Sequence, residues 1–179
     1  TDMHSVLTTV ATAKPELLYY PIFIAAGGYI TAQAKEVAGL ETTILMGSDG
    51  MFSPDFLTGG GAATQDMYLS SPDFSLFPAG YKPFVDKYKT KYGVAPLSIF
   101  HAHAYDATNI IFAAIEAVAV TGPDGTLYIG RKALRDAIYA TKDFAGITGT
   151  LTCGQYGDCG APVIAVYQIV SSDAATWDP

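Results

Sequence analysis

Long apolar runs are scarce in this sequence. The two longest, Leu17 to Ile24 and Ile110 to Val120, are broken by Pro21 and Glu116 and fall short of the roughly 20 residues a membrane helix needs, so no bilayer span is predicted. Basic charge is scarce as well. Ten Lys and Arg against seventeen Asp and Glu leave a formal net charge of −7 with no basic stripe, which argues against a nucleic-acid surface. The opening TDMHSVL has no initiator Met, no basic n-region and no signal-type apolar stretch, which predicts a mature or truncated start. Also absent are a P-loop, a GxGxxG and a Gly-x-Ser-x-Gly elbow. Ser5, Ser48, Ser53 and Ser70 stand in no evident triad order, and Gly59, Gly60 and Gly61 follow a helical piece instead of a strand, so they read as a flexible connection. Neither an enzyme nor a cofactor is expected.

Cysteine is limited to Cys153 and Cys159 in LTCGQYGDCGAP. Five intervening residues, two of them glycine, make a loop able to bring the Cα atoms within the ~4.4 to 6.8 Å a disulfide needs; the alternative is two free thiols in a turn. A bridge would imply an exported protein, because cytosolic thiols are kept reduced. The spacing does not suit zinc.

What remains is 179 residues, half of them hydrophobic, enough for one domain or two small lobes with a real core. Asp2 can cap a helix carrying Met3, Val6, Leu7 and Val10 at helical spacing. Lys14-Pro15 stops it, residues 16–20 read as a buried strand, and a helix after Pro21 carries Ile30, Ala34 and Val37 to a C-cap at Gly39. Residues 42–46 form a second strand and residues 65–70 a third. Helix and strand alternating with short connections predict an α/β fold with a parallel sheet flanked by helices. The Pro-, Ser- and Phe-rich stretch 71–80 reads as a crossing, and the composition changes after it. Beyond it come a Lys-rich helix over 81–92 closed by Gly93, and a long helix over 98–120 with Ala104, Ala107, Ile111, Ala114, Ile115 and Val118 inward. A turn region over 122–130 leads to a helix over 131–141 with Leu134, Ala137 and Ile138 inward. Strands over 149–152 and 162–170 flank the cysteine loop.

His101 and His103 in FHAHAYDA point to different helix faces, so a metal site is not expected, and Asp106 reads as an acid favoured by the helix dipole. Asp49, in MGSDGMFSPDF, is different in its placement. It lies just past the carboxyl end of a strand, between glycines, where open parallel sheets bind ligands. Two readings stand at this level: a contact to a ligand ammonium, or a loop Asp bonding its own backbone.

Taken in order, LLYYPIF before a helix, MGSDGMFSPDF, FVDKYKTKYG, HAYDATNIIFAAIEA and LRDAIYATKDFAGITGTLTCGQYGD resemble the carboxyl-terminal half of type I periplasmic binding proteins of the branched-chain amino acid ABC-transporter family. The resemblance implies two α/β lobes joined by crossings, a small solute such as an amino acid in the cleft between them, and delivery to a membrane permease without chemistry. On it, residues 1–70 belong to the second lobe, 71–80 to a hinge crossing, 81–152 to the first lobe, and 153–179 to the cysteine hairpin and return strand. The acid that grips the ligand ammonium falls on Asp49, and apolar walls fall on Phe23 and Phe100, for which core packing is the alternative fate.

Ile24 and the run from Ala25 to Gly28 replace a more polar helix start, and the Cys153–Cys159 turn stands where the family has an unbridged acidic turn. The family's opening half is not in this sequence, so the chain is expected to bind solute weakly alone and to expose apolar surface prone to self-association. A periplasmic or extracellular location, membrane-anchored in the full-length protein, goes with the resemblance. Two further readings come from other classes: a receptor or regulator sensor domain of the same fold, and an α/β hydrolase-like enzyme.

Overall fold

Pro15 and Pro21 bracket the first strand, since neither can sit inside a helix or donate to a strand ladder. The structure, a computed structural model, describes residues 1–96, 98–160 and 162–177; positions 97, 161, 178 and 179 lie outside it, the last three of them in the expected 153–179 segment. The chain forms two units, Thr1–Asp73 with Ile164–Pro179, and Phe74–Val163. The first unit begins with α1 (His4–Ala11), β1 (Leu17–Tyr20), α2 (Ile24–Ala34), β2 (Ile44–Gly47), α3 (Pro54–Gly60) and β3 (Tyr68–Pro72). The second holds α4 (Tyr81–Tyr92), α5 (His101–Val118), β4 (Val120–Thr121), β5 (Leu127–Tyr128), α6 (Arg131–Tyr139), β6 (Phe144–Ala145) and β7 (Thr150–Leu151). The chain then returns to the first unit as β8 (Ile164–Gln168).

The first unit is built on a four-stranded sheet of order β1-β2-β3-β8. β1 and β2 run parallel from Leu17 opposite Ile44 to Tyr20 opposite Gly47, β3 is parallel to β2, and β8 closes the edge antiparallel to β3. The expected α/β fold with a parallel-dominated sheet is present. On one face Tyr20, Leu45 and Leu69 are buried. There the Tyr20 hydroxyl meets Thr31 Oγ1 of α2 at 2.6 Å, and burial pushes the phenol up to about 12, so it stays neutral at any ordinary pH. α3 packs along α2, where Gly28 approaches the Gly59 backbone so closely that an added Cβ would lie 3.1 Å from its carbonyl carbon. Ser53 caps α3 by accepting from the Asp55 amide at 3.2 Å, with Pro54 in the first turn. The opposite sheet face is open: Leu17, Tyr19, Ile44, Ile164 and Val166 are exposed.

Several element boundaries differ from the sequence reading. The Asp2 carboxylate does accept from the His4 amide at 2.9 Å, but Met3 is the residue at the N-cap. α2 ends at Ala34, and the chain reaches Gly39 (φ +95°) through turns instead of helix. Ser71 and Pro72, placed by composition in a crossing, are the last residues of β3, because β8 arrives from almost a hundred residues away to pair with them. The 122–130 turn region contains β5, which pairs back on β4 just before it as a short hairpin.

In the second unit, Gly93 (φ +76°) closes α4 in the left-handed conformation expected of it. The buried stripe of α5 is a correction. Ala102, Asp106, Ile110 and Ala114 are buried; of the expected face only Ala114 is fully inside, and Ile111 is 41% exposed. The stripe turns toward Asp106 because its carboxylate accepts three hydrogen bonds, from the Ile147 amide at 2.9 Å, the Thr148 amide at 2.8 Å and Thr148 Oγ1 at 2.6 Å. Asp106 is thus an internal tie to the loop before β7, not an acid placed for the dipole. α6 packs on α5 with Leu134, Ala137 and Ile138 half-buried, as expected.

Replacing Asp106 with Ala removes the acceptor for two backbone amides, and stability in urea should fall by about 3 kcal/mol; a loss under about 1 kcal/mol would show that this tie carries little. A second expectation concerns pH. His4 is raised above its ordinary 6.5, first by its hydrogen bond to Asp2 at 2.8 Å and then by that to Glu36 at 3.2 Å. The fold therefore favours the protonated ring. The stabilisation is full below pH 6.5 and is lost as pH rises through the raised folded value. A pH series of melting temperatures should show this small loss in the native chain and not in His4→Gln.

Candidate functional site

Register brings the carboxyl ends of β1 and β2 to one level, Tyr20 opposite Gly47. Beyond β1 the chain runs through Pro21 and Ile22 to Phe23, the N-cap of α2 in extended conformation, whose carbonyl accepts from the Gly27 amide at 2.9 Å. Its ring is 76% exposed. Beyond β2, Ser48 leads into a single 3₁₀ turn, Asp49–Met51, closed by Met51 N donating to Ser48 O at 3.0 Å and Phe52 N donating to Asp49 O at 3.1 Å. The Asp49 side chain is exposed and accepts from its neighbour, the Gly50 amide, at 3.1 Å.

Gly50 is where the two segments meet. A Cβ there would lie 2.9 Å from the Ile22 carbonyl oxygen and 3.1 Å from Phe23 Cδ1, so the Phe23 ring rests against the turn that carries Asp49. Phe23 is thereby brought against the turn that carries Asp49. Phe100 belongs to the other unit, where it is the N-cap of α5, donates its amide to Ser98 Oγ at 3.1 Å and is 44% exposed. None of the three is buried in a core, the commoner fate of Phe. A solvent-facing carboxylate on a turn against which an aromatic ring rests suits a small cation with an apolar portion.

The underside of the turn was not picked out from the sequence. Met51 is fully buried, and its side chain fills the space over Gly27 and Gly47, while Phe52 packs edge-on against Tyr167 and Trp177, each at 4.9 Å between centroids. A signal existed: glycine as the last residue of a strand marks a close approach.

His101 and His103 are absorbed by an aromatic cluster. Tyr81 Oη lies 3.0 Å from His101 Nε2, Phe84 stacks on the His101 ring at 6.0 Å, and His103 meets Phe77 edge-on. Among the described residues no group of three or more His, Cys, Asp or Glu side chains could hold a metal ion. A cavity of about 730 Å³ in the second unit, between α4 and α5, is lined by Phe84, Tyr88, Tyr92 and Tyr105 with Lys87 and Lys91. No helix among the described residues is long and apolar enough to cross a membrane.

The sequence model of the periplasmic binding protein family matches residues 1–174, and the chain belongs to that family, whose members bind solutes and are not enzymes. Similar solved structures include a leucine binding protein from Thermotoga maritima (TM-score 0.76, 23% identity, 96% of this chain and 46% of that one). Another is a branched-chain amino acid transporter substrate binding protein from Streptococcus pneumoniae in complex with isoleucine (TM-score 0.69, 23% identity, 97% of this chain and 46% of that one). A third is a type 1 periplasmic binding protein from Bordetella pertussis (TM-score 0.75, 19% identity, 95% of this chain and 47% of that one). The chain therefore spans about half the length of these solved proteins. Among curated proteins no match is found.

Cys153 and Cys159 form a disulfide, with Cα atoms 3.8 Å apart, closer than the range expected from the sequence. Gly154 N donates to Asp158 O at 2.7 Å inside the loop, and Cys153 N donates to Thr141 O at 3.0 Å, tying it to the end of α6. So short a loop limits the chain-entropy gain. Reduction, or a Cys153→Ser and Cys159→Ser pair, should cost about 2 kcal/mol in denaturant unfolding; an unchanged midpoint would show that the backbone bonds alone hold the loop.

Proposed function

We propose that this chain is part of a solute-binding component of an ABC importer that captures an amino acid, or a similar small amine-bearing solute, between two lobes and presents it to a membrane permease outside the cytoplasm. Asp49 pairs with the ligand ammonium, and Phe23 and Phe100 each offer the ligand an apolar wall. The observation that carries the reading is the packing of Phe23 against the Asp49–Met51 turn at the carboxyl ends of two parallel strands, where a sheet of this kind binds ligands. Membership of a solute-binding family supports it.

A carboxylate this exposed gains little from an ion pair in water. Its grip comes when a second surface closes over the ligand and excludes solvent, which strengthens the charge-assisted bond. The chain alone therefore binds solute weakly.

Calorimetry with L-leucine, L-isoleucine, L-valine and L-alanine on the natural polypeptide that carries this chain tests the reading. Asp49→Asn should weaken the tightest of them about 100-fold. Unchanged affinity in that variant would overturn the ammonium role, and tight binding by residues 1–179 alone would overturn the need for a second wall.

A further inference from the structure

We propose that Met51 is the positioning residue of this site. Its side chain is a peg seated between Gly27 of α2 and Gly47 of β2, and it fixes the turn carrying Asp49 relative to the helix start carrying Phe23. The importance of that geometry for a ligand rests on the reading above; the peg itself does not.

A single 3₁₀ turn has little stability of its own. Asp49–Met51 is closed by two backbone hydrogen bonds, Ser48 makes no side-chain cap, and the Asp49 carboxylate bonds within the turn, to Gly50. What ties the turn to the sheet and to α2 is the side chain that points down from it. Met51 is fully buried. A Cβ on Gly27 would overlap the Met51 sulfur and lie 3.1 Å from its Cγ, and a Cβ on Gly47 would overlap its Cε. Leu69 Cδ2, 2.9 Å from that same point, and Ile22 Cγ2, 3.5 Å from the point over Gly27, complete the socket.

The same peg reaches Phe23. Gly27 donates its amide to the Phe23 carbonyl, so the two share the first turn of α2, and a side chain wedged over Gly27 sets where Phe23 begins the helix. Phe52, held by Tyr167 and Trp177, anchors only the exit of the Asp49 turn. Gly50 meets Ile22 and Phe23 directly, and Met51 joins the same two arms through Gly27 and Gly47. An unbranched thioether suits this passage, since it threads between two Cα atoms where a branched side chain would meet one of them. The three missing side chains at Gly27, Gly47 and Gly50 then have one purpose: the first two admit the peg, and the third lets Phe23 lie against the turn. Holding a binding group by packing beneath it is how a site keeps its geometry before the ligand arrives.

Amide hydrogen exchange on the chain tests the peg without any ligand. In Met51→Ala, the Met51 and Phe52 amides should exchange about tenfold faster relative to the strand amides of Leu45 and Leu69 than they do in the native chain. Gly47→Ala should do the same by expelling the peg. The double variant should lie nearer the native pattern than either single one, because the added methyl occupies part of the vacated space. Leu40→Ala, equally buried but away from the site, should raise all these rates alike. If Met51→Ala does not fold, Met51→Leu carries the same comparison. A uniform rise in exchange, or no compensation in the double variant, overturns the peg. L-isoleucine titration of Asp49→Asn separates the two ideas: unchanged affinity there, with the exchange pattern as expected, removes the ligand reading and leaves the peg standing.

Discussion

The first unit depends on how closely α2 can approach its neighbours. A helix usually stands about 10 Å from a sheet because side chains fill the gap. Here Gly28 lies almost backbone to backbone on Gly59 of α3, and Gly27 leaves room for the Met51 side chain beneath the Asp49 turn. The Tyr20 hydroxyl on Thr31 then ties the middle of the helix to β1 at one point. Shift α2 outward by a methyl group, and the start of the helix, the end of β2 and the turn between Ser48 and Phe52 all lose their reference. The placement of Asp49 and Phe23 is set in part by residues with no side chain.

Much of this was legible from residues alone. The brackets of Pro15 and Pro21 around β1, Gly93 closing α4, and the alternation of helix with strand each rest on local rules that tertiary contacts do not overturn. The position of Asp49 just past β2 was legible because it is a statement about sequence order. What was not legible depends on distant segments meeting. The buried face of α5 was misplaced because periodicity assumes an apolar stripe, whereas Asp106 is drawn inside by amides some forty residues later. Ser71 and Pro72 look like a linker until β8 is known to pair with them. The partnership of Met51 with Gly27 and Gly47 joins positions that no window of sequence shows together.

The two readings of Asp49 left open by sequence turn out to be compatible. Its carboxylate does accept its own backbone, from Gly50, and remains turned to solvent. One oxygen orients the group while capacity is left for a second partner.

The sheet of the first unit, buried on one side and bare on the other, has a calorimetric consequence. Leu17, Tyr19, Ile44, Ile164 and Val166 already meet water in the folded chain, so unfolding hydrates less new apolar surface than a parallel sheet sheathed on both faces would release. The heat capacity increment and the denaturant slope of this chain therefore fall below what its residue number implies, and its stability curve against temperature is correspondingly flat.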